Sequence, residues 1–177
     1  MYSDKELIKG CIEQNRALQK ALYDTYGSKL MAVCLRYSDS TFEAEDILQD
    51  ALLKAFKKMD SFRGESSLYA WLKRIAVNTA LNSIRGKVQM TPIMDSDEFL
   101  NDSTDLSGYS FDELLAMIQK LPAGCRAVFN LMAIEGYKHE EIAKKLDISV
   151  GTSKSQFARA RQLLQQQLKT EELRSHG

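Results

Sequence analysis

Gly136-Tyr137-Lys138-His139-Glu140-Glu141-Ile142-Ala143-Lys144-Lys145-Leu146-Asp147-Ile148-Ser149-Val150-Gly151-Thr152-Ser153-Lys154-Ser155-Gln156-Phe157-Ala158-Arg159-Ala160-Arg161 is the stretch that decides how this chain folds. Gly136 ends a preceding helix. A short helix follows, with Ile142, Ala143 and Leu146 along one side. Asp147-Ile148-Ser149 makes a tight turn, and Ser149 is placed to cap the next helix. That second helix carries Phe157, Ala160 and Leu164 at i, i+3 and i+7, a core-facing stripe. Two helices joined by so short a turn read as a helix-turn-helix, whose second helix enters a major groove. Between 148 and 169 the charged residues are Lys154, Arg159, Arg161 and Lys169, without an acid, which is what a phosphate backbone attracts. An αα-hairpin with a solvated basic face fits the same periodicity, so the rest of the chain has to decide.

With 177 residues the chain holds one ordinary domain or two small ones. Pro is scarce, and Leu, Ala, Lys, Glu and Gln abound, so the fold class expected is all-α. No apolar run approaches the roughly 20 residues that span a bilayer. The start Met1-Tyr2-Ser3-Asp4-Lys5-Glu6 does not read as a signal peptide. The expected location is therefore cytoplasmic, without membrane insertion. Cys11, Cys34 and Cys125 are isolated from one another and read as buried thiols in a reducing compartment.

Net charge is zero, with 24 basic and 24 acidic residues, but the signs are segregated. Residues 66–94 hold Lys73, Arg74, Arg85 and Lys87 and no acid; 43–50 hold Glu43, Glu45, Asp46 and Asp50 and no base. Residues 95–105 add five more acids and no base. Such segregation fits several partners of different sign, or a chain that screens its own basic faces.

From the N-terminus, Ser3 and Glu6 form a capping box. A helical pattern runs through Leu7, Ile8, Cys11 and Ile12 and resumes through Leu18, Ala21, Leu22 and Tyr26, with Gly27 expected to stop it. A further face is Leu30, Val33, Cys34 and Tyr37. The most regular helix follows, with Ala44, Leu48, Ala51, Leu52, Ala55, Phe56 and Met59 on one stripe and Glu43, Asp46 and Asp50 opposite. A di-metal carboxylate helix would need a His three residues after a Glu, and the chain's two histidines, His139 and His176, lie elsewhere. The acidic face is thus either solvated or a dock for a basic partner.

After the polar loop 60–67, Leu68, Trp71, Leu72 and Ile75 make a core stripe with Trp71 expected to be buried. The same helix carries Arg74, Asn78, Leu81 and Arg85 on a second stripe. Basic and amide groups beside aromatics suit a nucleic-acid strand with exposed bases; a polar helix face with Phe62 and Tyr69 in the core accounts for it equally well. Residues 86–109 lose periodicity and read as an anionic linker. Ser110 and Glu113 form a second capping box, Pro122 starts a helix running through Val128, Leu131 and Met132 to Gly136, and the C-terminal unit has four helices. No phosphate-binding Gly loop, metal-ligand cluster or nucleophile–histidine pairing is present in the sequence, so neither an enzyme nor a cofactor is expected.

These residues resemble a bacterial RNA polymerase sigma factor of the extracytoplasmic-function (ECF) group. The C-terminal resemblance rests on Leu121-Pro122, Arg126-Ala127-Val128-Phe129, Glu135-Gly136, Glu141-Ile142-Ala143, Ile148-Ser149, Gly151-Thr152, Lys154-Ser155 and Ala158-Arg159-Ala160-Arg161. The N-terminal resemblance rests on Ala44-Glu45-Asp46, Gln49-Asp50, Phe62-Arg63-Gly64-Glu65-Ser66-Ser67, Trp71-Leu72, Ile75-Ala76, Asn78 and Arg85. It implies an N-terminal domain over 1–87, a linker over 88–109 and a C-terminal domain over 110–177.

It further implies that Asp46, Gln49 and Asp50 bind core RNA polymerase. Phe62, Arg63, Ser66, Arg74, Asn78 and Arg85 would open and hold the minus-ten promoter DNA. Lys154, Ser155, Gln156 and Arg159 would read the minus-thirty-five element, with Arg161 on phosphate or in packing. A cognate anti-sigma protein is a further implied partner. Three positions depart from the family's usual pattern. Asn82 stands where an Asp is common, Ser153 where a Val is common on the core-facing side, and Gln156 where an Arg is frequent. The alternative is a stand-alone helix-turn-helix regulator whose N-terminal half dimerises or senses a ligand.

Overall fold

The structure, a computed structural model, describes residues 2–90 and 110–175, with backbone alone at 111 and 171–175. The expected linker 88–109 lies almost wholly outside the described residues. What is described is all-helical and forms two compact units, Met1–Ser83 and Ile84–Gly177.

The first unit opens with α1 (Asp4–Ile12). Its capping box closes as expected: Glu6 N donates to Ser3 Oγ at 3.4 Å, and Ser3 N donates to Glu6 Oε2 at 2.7 Å. Ser3 Oγ also donates to Glu6 Oε2 at 2.7 Å, and this bond, with that from Ser3 N, holds the Glu6 carboxyl below its ordinary range. After Gln14, with φ 57°, Asn15 caps α2 (Arg16–Leu35) by accepting from Ala17 N and Leu18 N. Tyr26 donates to Asp4 Oδ1 at 2.5 Å, tying the two helices together.

Gly27 does not stop α2. It lies buried within the helix, and a Cβ there would meet the Tyr23 ring at 3.1 Å. The glycine leaves room for a ring one turn back, at a helix penalty of roughly 1 kcal/mol relative to alanine.

α3 (Thr41–Lys57) is capped by Ser40 Oγ, which accepts from Glu43 N at 3.1 Å. Its stripe of Ala44, Ile47, Leu48, Ala51, Leu52 and Ala55 is buried and packs on α2. A 3-10 turn (Met59–Ser61) leads into the loop, and α4 (Leu68–Gln89) follows, its last turns from Ile84 onward belonging to the second unit. Lys54 Nζ donates to Thr79 Oγ1 at 3.4 Å, linking α3 to α4. Leu7, Leu22, Leu30, Cys34, Tyr37, Met59, Leu68 and Leu72 complete the core. Each fully buried leucine contributes about 1.5–3 kcal/mol through removal of apolar surface from water. Trp71, expected to be buried, is only half-buried. The expected loss of order at Gly86 is also not seen, since α4 runs past it to Gln89.

The second unit contains α5 (Phe111–Gln119), capped by the Ser110–Glu113 box, and α6 (Ala123–Phe129), which begins directly after Pro122. The α6 backbone continues as a π-helical turn (Asn130–Ile134), with Glu135 N donating to Asn130 O at 3.0 Å. Gly136, at φ 77°, then turns the chain, as its position predicts. α7 (His139–Leu146) and α8 (Val150–Ser175) pack on one another, and α6 packs on α8. Leu121, Cys125 and Ala160 form a buried cluster against which Phe129, Leu163 and Leu164 rest. Arg126 is also buried, and its Nη1 donates to Gln119 O at 2.8 Å, satisfying a carbonyl at the end of α5.

Candidate nucleic-acid and partner interfaces

The turn between α7 and α8 is made by Asp147 in the left-handed region, φ 56° and ψ 51°, as the residue after the helix. Ile148 N returns to Ala143 O at 3.1 Å, and Ser149 Oγ accepts from Thr152 N at 2.9 Å. A carboxylate-bearing Asp tolerates this conformation better than most side chains. The result is a short, tightly capped helix-turn-helix, as the sequence predicts.

At about 100° per residue, Lys154, Ser155, Ala158, Arg161 and Gln162 share one side of α8, while Ser153, Gln156, Ala160 and Leu164 share the other. Burial follows that division. Lys154 is exposed and Ser155, Ala158, Arg161 and Gln162 are half-buried, whereas Ser153, Gln156 and Ala160 are buried; Leu164 and Arg159, which lies between the two sides, are half-buried. Arg159 Nη1 donates to Gln162 Oε1 at 2.6 Å, which holds the guanidinium along the helix.

Gln156 departs from the expected DNA-facing set. It is 3% exposed, and Cys125 Sγ donates to its Oε1 at 2.8 Å. The side chain therefore belongs to the interior of the unit and does not present an amide to a groove. Burial in turn pushes the Cys125 thiol up to about 11. Ser153 is fully buried, as its core-facing position predicts, and its Oγ lies 2.9 Å from His139 Nδ1.

In the first unit, the loop 61–67 is anchored by one aromatic contact. Phe62 meets Trp71 edge-on, with centroids 5.6 Å apart. Gly64, at φ 74°, supplies the left-handed step, and Ser67 Oγ accepts from Ala70 N at 3.2 Å to start α4. Arg63 and Ser66 stand exposed on this loop, while Phe62 is half-buried against Trp71. Arg74, Asn78 and Arg85 are exposed along α4, but Leu81 of the same stripe is buried. Tyr69, like Phe62 half-buried, stacks on Tyr26 at 6.2 Å with Lys29 Nζ 5.9 Å from its ring.

α3 presents a third surface. Opposite its buried stripe, Phe42, Asp46, Gln49 and Leu53 fall at i, i+4, i+7 and i+11, and all four are exposed. Phe42 is 73% and Leu53 51% exposed, so two large apolar side chains bracket the acidic and amide groups. Beside this ridge, α2 and α3 enclose a groove of about 640 Å³. Arg16, Lys20 and Tyr23 line one wall; Asp46, Gln49 and Leu53 line the other. The sequence reading found the acids but missed Phe42, Leu53 and Tyr23. An apolar residue carries no mark of exposure until the helix is seen to lack a neighbour there.

Residues 22–89 match the Sigma-70 region 2 family and residues 111–164 match the Sigma-70, region 4 family. The ECF RNA polymerase sigma-E factor of Escherichia coli K12 is 31% identical over 92% of each chain. The chain belongs to the ECF sigma factors.

The RNA polymerase sigma-H factor of Pseudomonas aeruginosa is 30% identical over 93% of each chain. The sigma factor RpoE of Bartonella quintana, solved in complex with the anti-sigma factor NepR, superposes with a TM-score of 0.50 at 30% identity, covering 85% of this chain and 96% of that one. This sigma factor directs RNA polymerase to promoters for transcription initiation, binding core polymerase and promoter DNA. It is not an enzyme. Both sigma regions are present in order, so the stand-alone regulator reading does not apply. No helix among the described residues is long and apolar enough to cross a membrane.

Proposed function

We propose that the sigma-factor activity is divided among three surfaces, within domains over 1–87 and 110–177 joined by the segment 88–109. Asp46, Gln49 and Asp50 of α3 dock on core polymerase, with Phe42 and Leu53 supplying apolar contact on either side. Phe62, Arg63 and Ser66 of the loop, together with Arg74, Asn78 and Arg85 of α4, engage the minus-ten element and hold its non-template strand open. Lys154, Ser155 and Arg159 of α8 read the minus-thirty-five element, and Arg161 contacts phosphate. Gln156 is left out of the reading because it is buried.

The observation that carries this division is the exposed α3 ridge, where charge and bare apolar surface coincide on a helix whose other side is a packed core. Tyr23, 50% exposed, lines the groove with Leu53, so the apolar surface on this side is more than one isolated side chain and suits a partner that covers it. The chain acts in the cytoplasm, where core polymerase and promoters are found, and an anti-sigma protein restrains it. The RpoE–NepR complex supports that last point.

The test is Asp50→Lys, which reverses charge on an exposed position of α3. Core binding by gel filtration should be lost while helicity and the unfolding midpoint stay put. Retention of full core affinity would remove α3 from the docking surface.

A further inference from the structure

α7 and α8 meet at a polar pair that the sigma-factor reading does not use. His139, the first residue of α7, is half-buried, and its Nδ1 lies 2.9 Å from Ser153 Oγ. Ser153 is 0% exposed, so its hydroxyl has the imidazole as partner where water has no access. The bond is available to either neutral tautomer, because a hydroxyl both donates and accepts. The same imidazole meets the Phe157 ring edge-on at 5.9 Å, and Phe157 stacks on Phe129 at 6.1 Å.

Ser153 and Phe157 lie four residues apart, one above the other on α8. One side chain of α7 therefore grips α8 at two successive turns. Lys154 and Ser155 follow Ser153 directly in sequence. A helix turns about 100° per residue, so a roll of α8 by a fraction of that angle swings both side chains off their line of approach to a groove.

We propose that His139 is a positioning residue for promoter recognition: its hydrogen bond to Ser153 and its contact with Phe157 set the rotation of α8, and so determine which side chains face the minus-thirty-five element. This rests on the assignment of Lys154 and Ser155 as DNA-reading groups. In this proposal His139 makes no DNA contact of its own. It acts through α8, so replacing it changes discrimination between sequences.

The experiment uses holoenzyme reconstituted from the full chain and core polymerase. The probes are a promoter selected by the wild-type holoenzyme from genomic fragments and the same promoter with its minus-thirty-five element scrambled. The readout is the ratio of the two affinities, which does not depend on how much of a preparation is folded. His139→Leu is expected to reduce that ratio about tenfold, the size of one good base contact. His139→Asn, whose amide can still reach the Ser153 hydroxyl, should keep the ratio within about threefold of wild type. Ser153→Val alone should reduce it, because the imidazole then loses its polar partner. The double variant His139→Leu with Ser153→Val should recover most of the loss, because an apolar pair replaces the polar one, giving strong non-additivity.

Lys154→Ala separates the positioning role of His139 from the DNA-reading role of α8. Should Lys154→Ala leave the ratio unchanged, the DNA-reading assignment of α8 fails and takes the positioning role with it. Should Lys154→Ala collapse the ratio while His139→Leu leaves it intact, or the two single losses simply add in the double variant, the positioning role alone is overturned.

Discussion

Cys125 donates its thiol hydrogen to Gln156 Oε1 at 2.8 Å, joining α6 to α8 inside the second unit. The contact makes Gln156 a structural residue on the inner side of α8, away from the side proposed to read DNA. Gln156→Ala should therefore cost about 1–3 kcal/mol of stability through the lost partner and the space left behind. Promoter preference should not change. Denaturant unfolding and promoter selection on the same variant check both halves, and a changed preference at full stability would return Gln156 to the DNA surface.

His139 is expected to give the second unit an acid sensitivity. Burial first, then the Lys154 ammonium, hold its imidazole below the ordinary value of 6.5, while the neighbouring Glu140 carboxylate pulls the other way. The unfolded chain thus takes up a proton at a pH where the folded chain does not. Stability is full above about pH 7, falls as pH drops below 6.5, and levels off once the folded imidazole is also protonated. His139→Asn should flatten that slope. Unfolding midpoints between pH 7.5 and 5 measure it, and an identical slope in the variant would assign the acid loss to other groups.

The apolar brackets of α3 make a separate prediction. Phe42→Ala and Leu53→Ala remove exposed side chains, so folding stability should change by no more than about 0.5 kcal/mol. Affinity for core polymerase should fall about tenfold or more if either is an anchor of the docked surface. Fluorescence titration with labelled core reads this directly. Unchanged affinity in both would remove the apolar side chains from the docked surface.

Asn78 is exposed on α4 within the proposed strand-holding surface. Extruding a base costs a few kcal/mol, and a lost contact to the extruded strand raises that barrier. Asn78→Ala should slow open-complex formation by about ten- to a hundredfold, and a template melted in advance over the minus-ten element should restore the rate. A defect that persists on the melted template would place Asn78 in another step.

What the sequence disclosed, and what it hid, follows from the range of the forces involved. The capping boxes at Ser3 and Ser110, the Ser149 cap and the α3 stripe are local, because each is decided within four to eight residues. Gly27 misled because its role depends on the Tyr23 ring lying over it. Trp71 reads as a core residue, but it meets Phe62 edge-on beside the loop and is only half-buried. The π-helical turn at Asn130–Ile134 has no periodic signature in so short a segment. Gln156 hid for the opposite reason to Phe42: a polar residue went in and an apolar one stayed out, and only the packed neighbours decide either case.

A 20.1 kDa chain of zero net charge is expected to be unable to hold opened promoter DNA unaided and to gain that ability on core polymerase. Affinity for one promoter duplex, measured at a single salt concentration with and without core, tests it. The expected outcome is binding at least about a hundredfold tighter with core, equivalent to roughly 2.7 kcal/mol. Equal affinity in the two conditions would contradict the account.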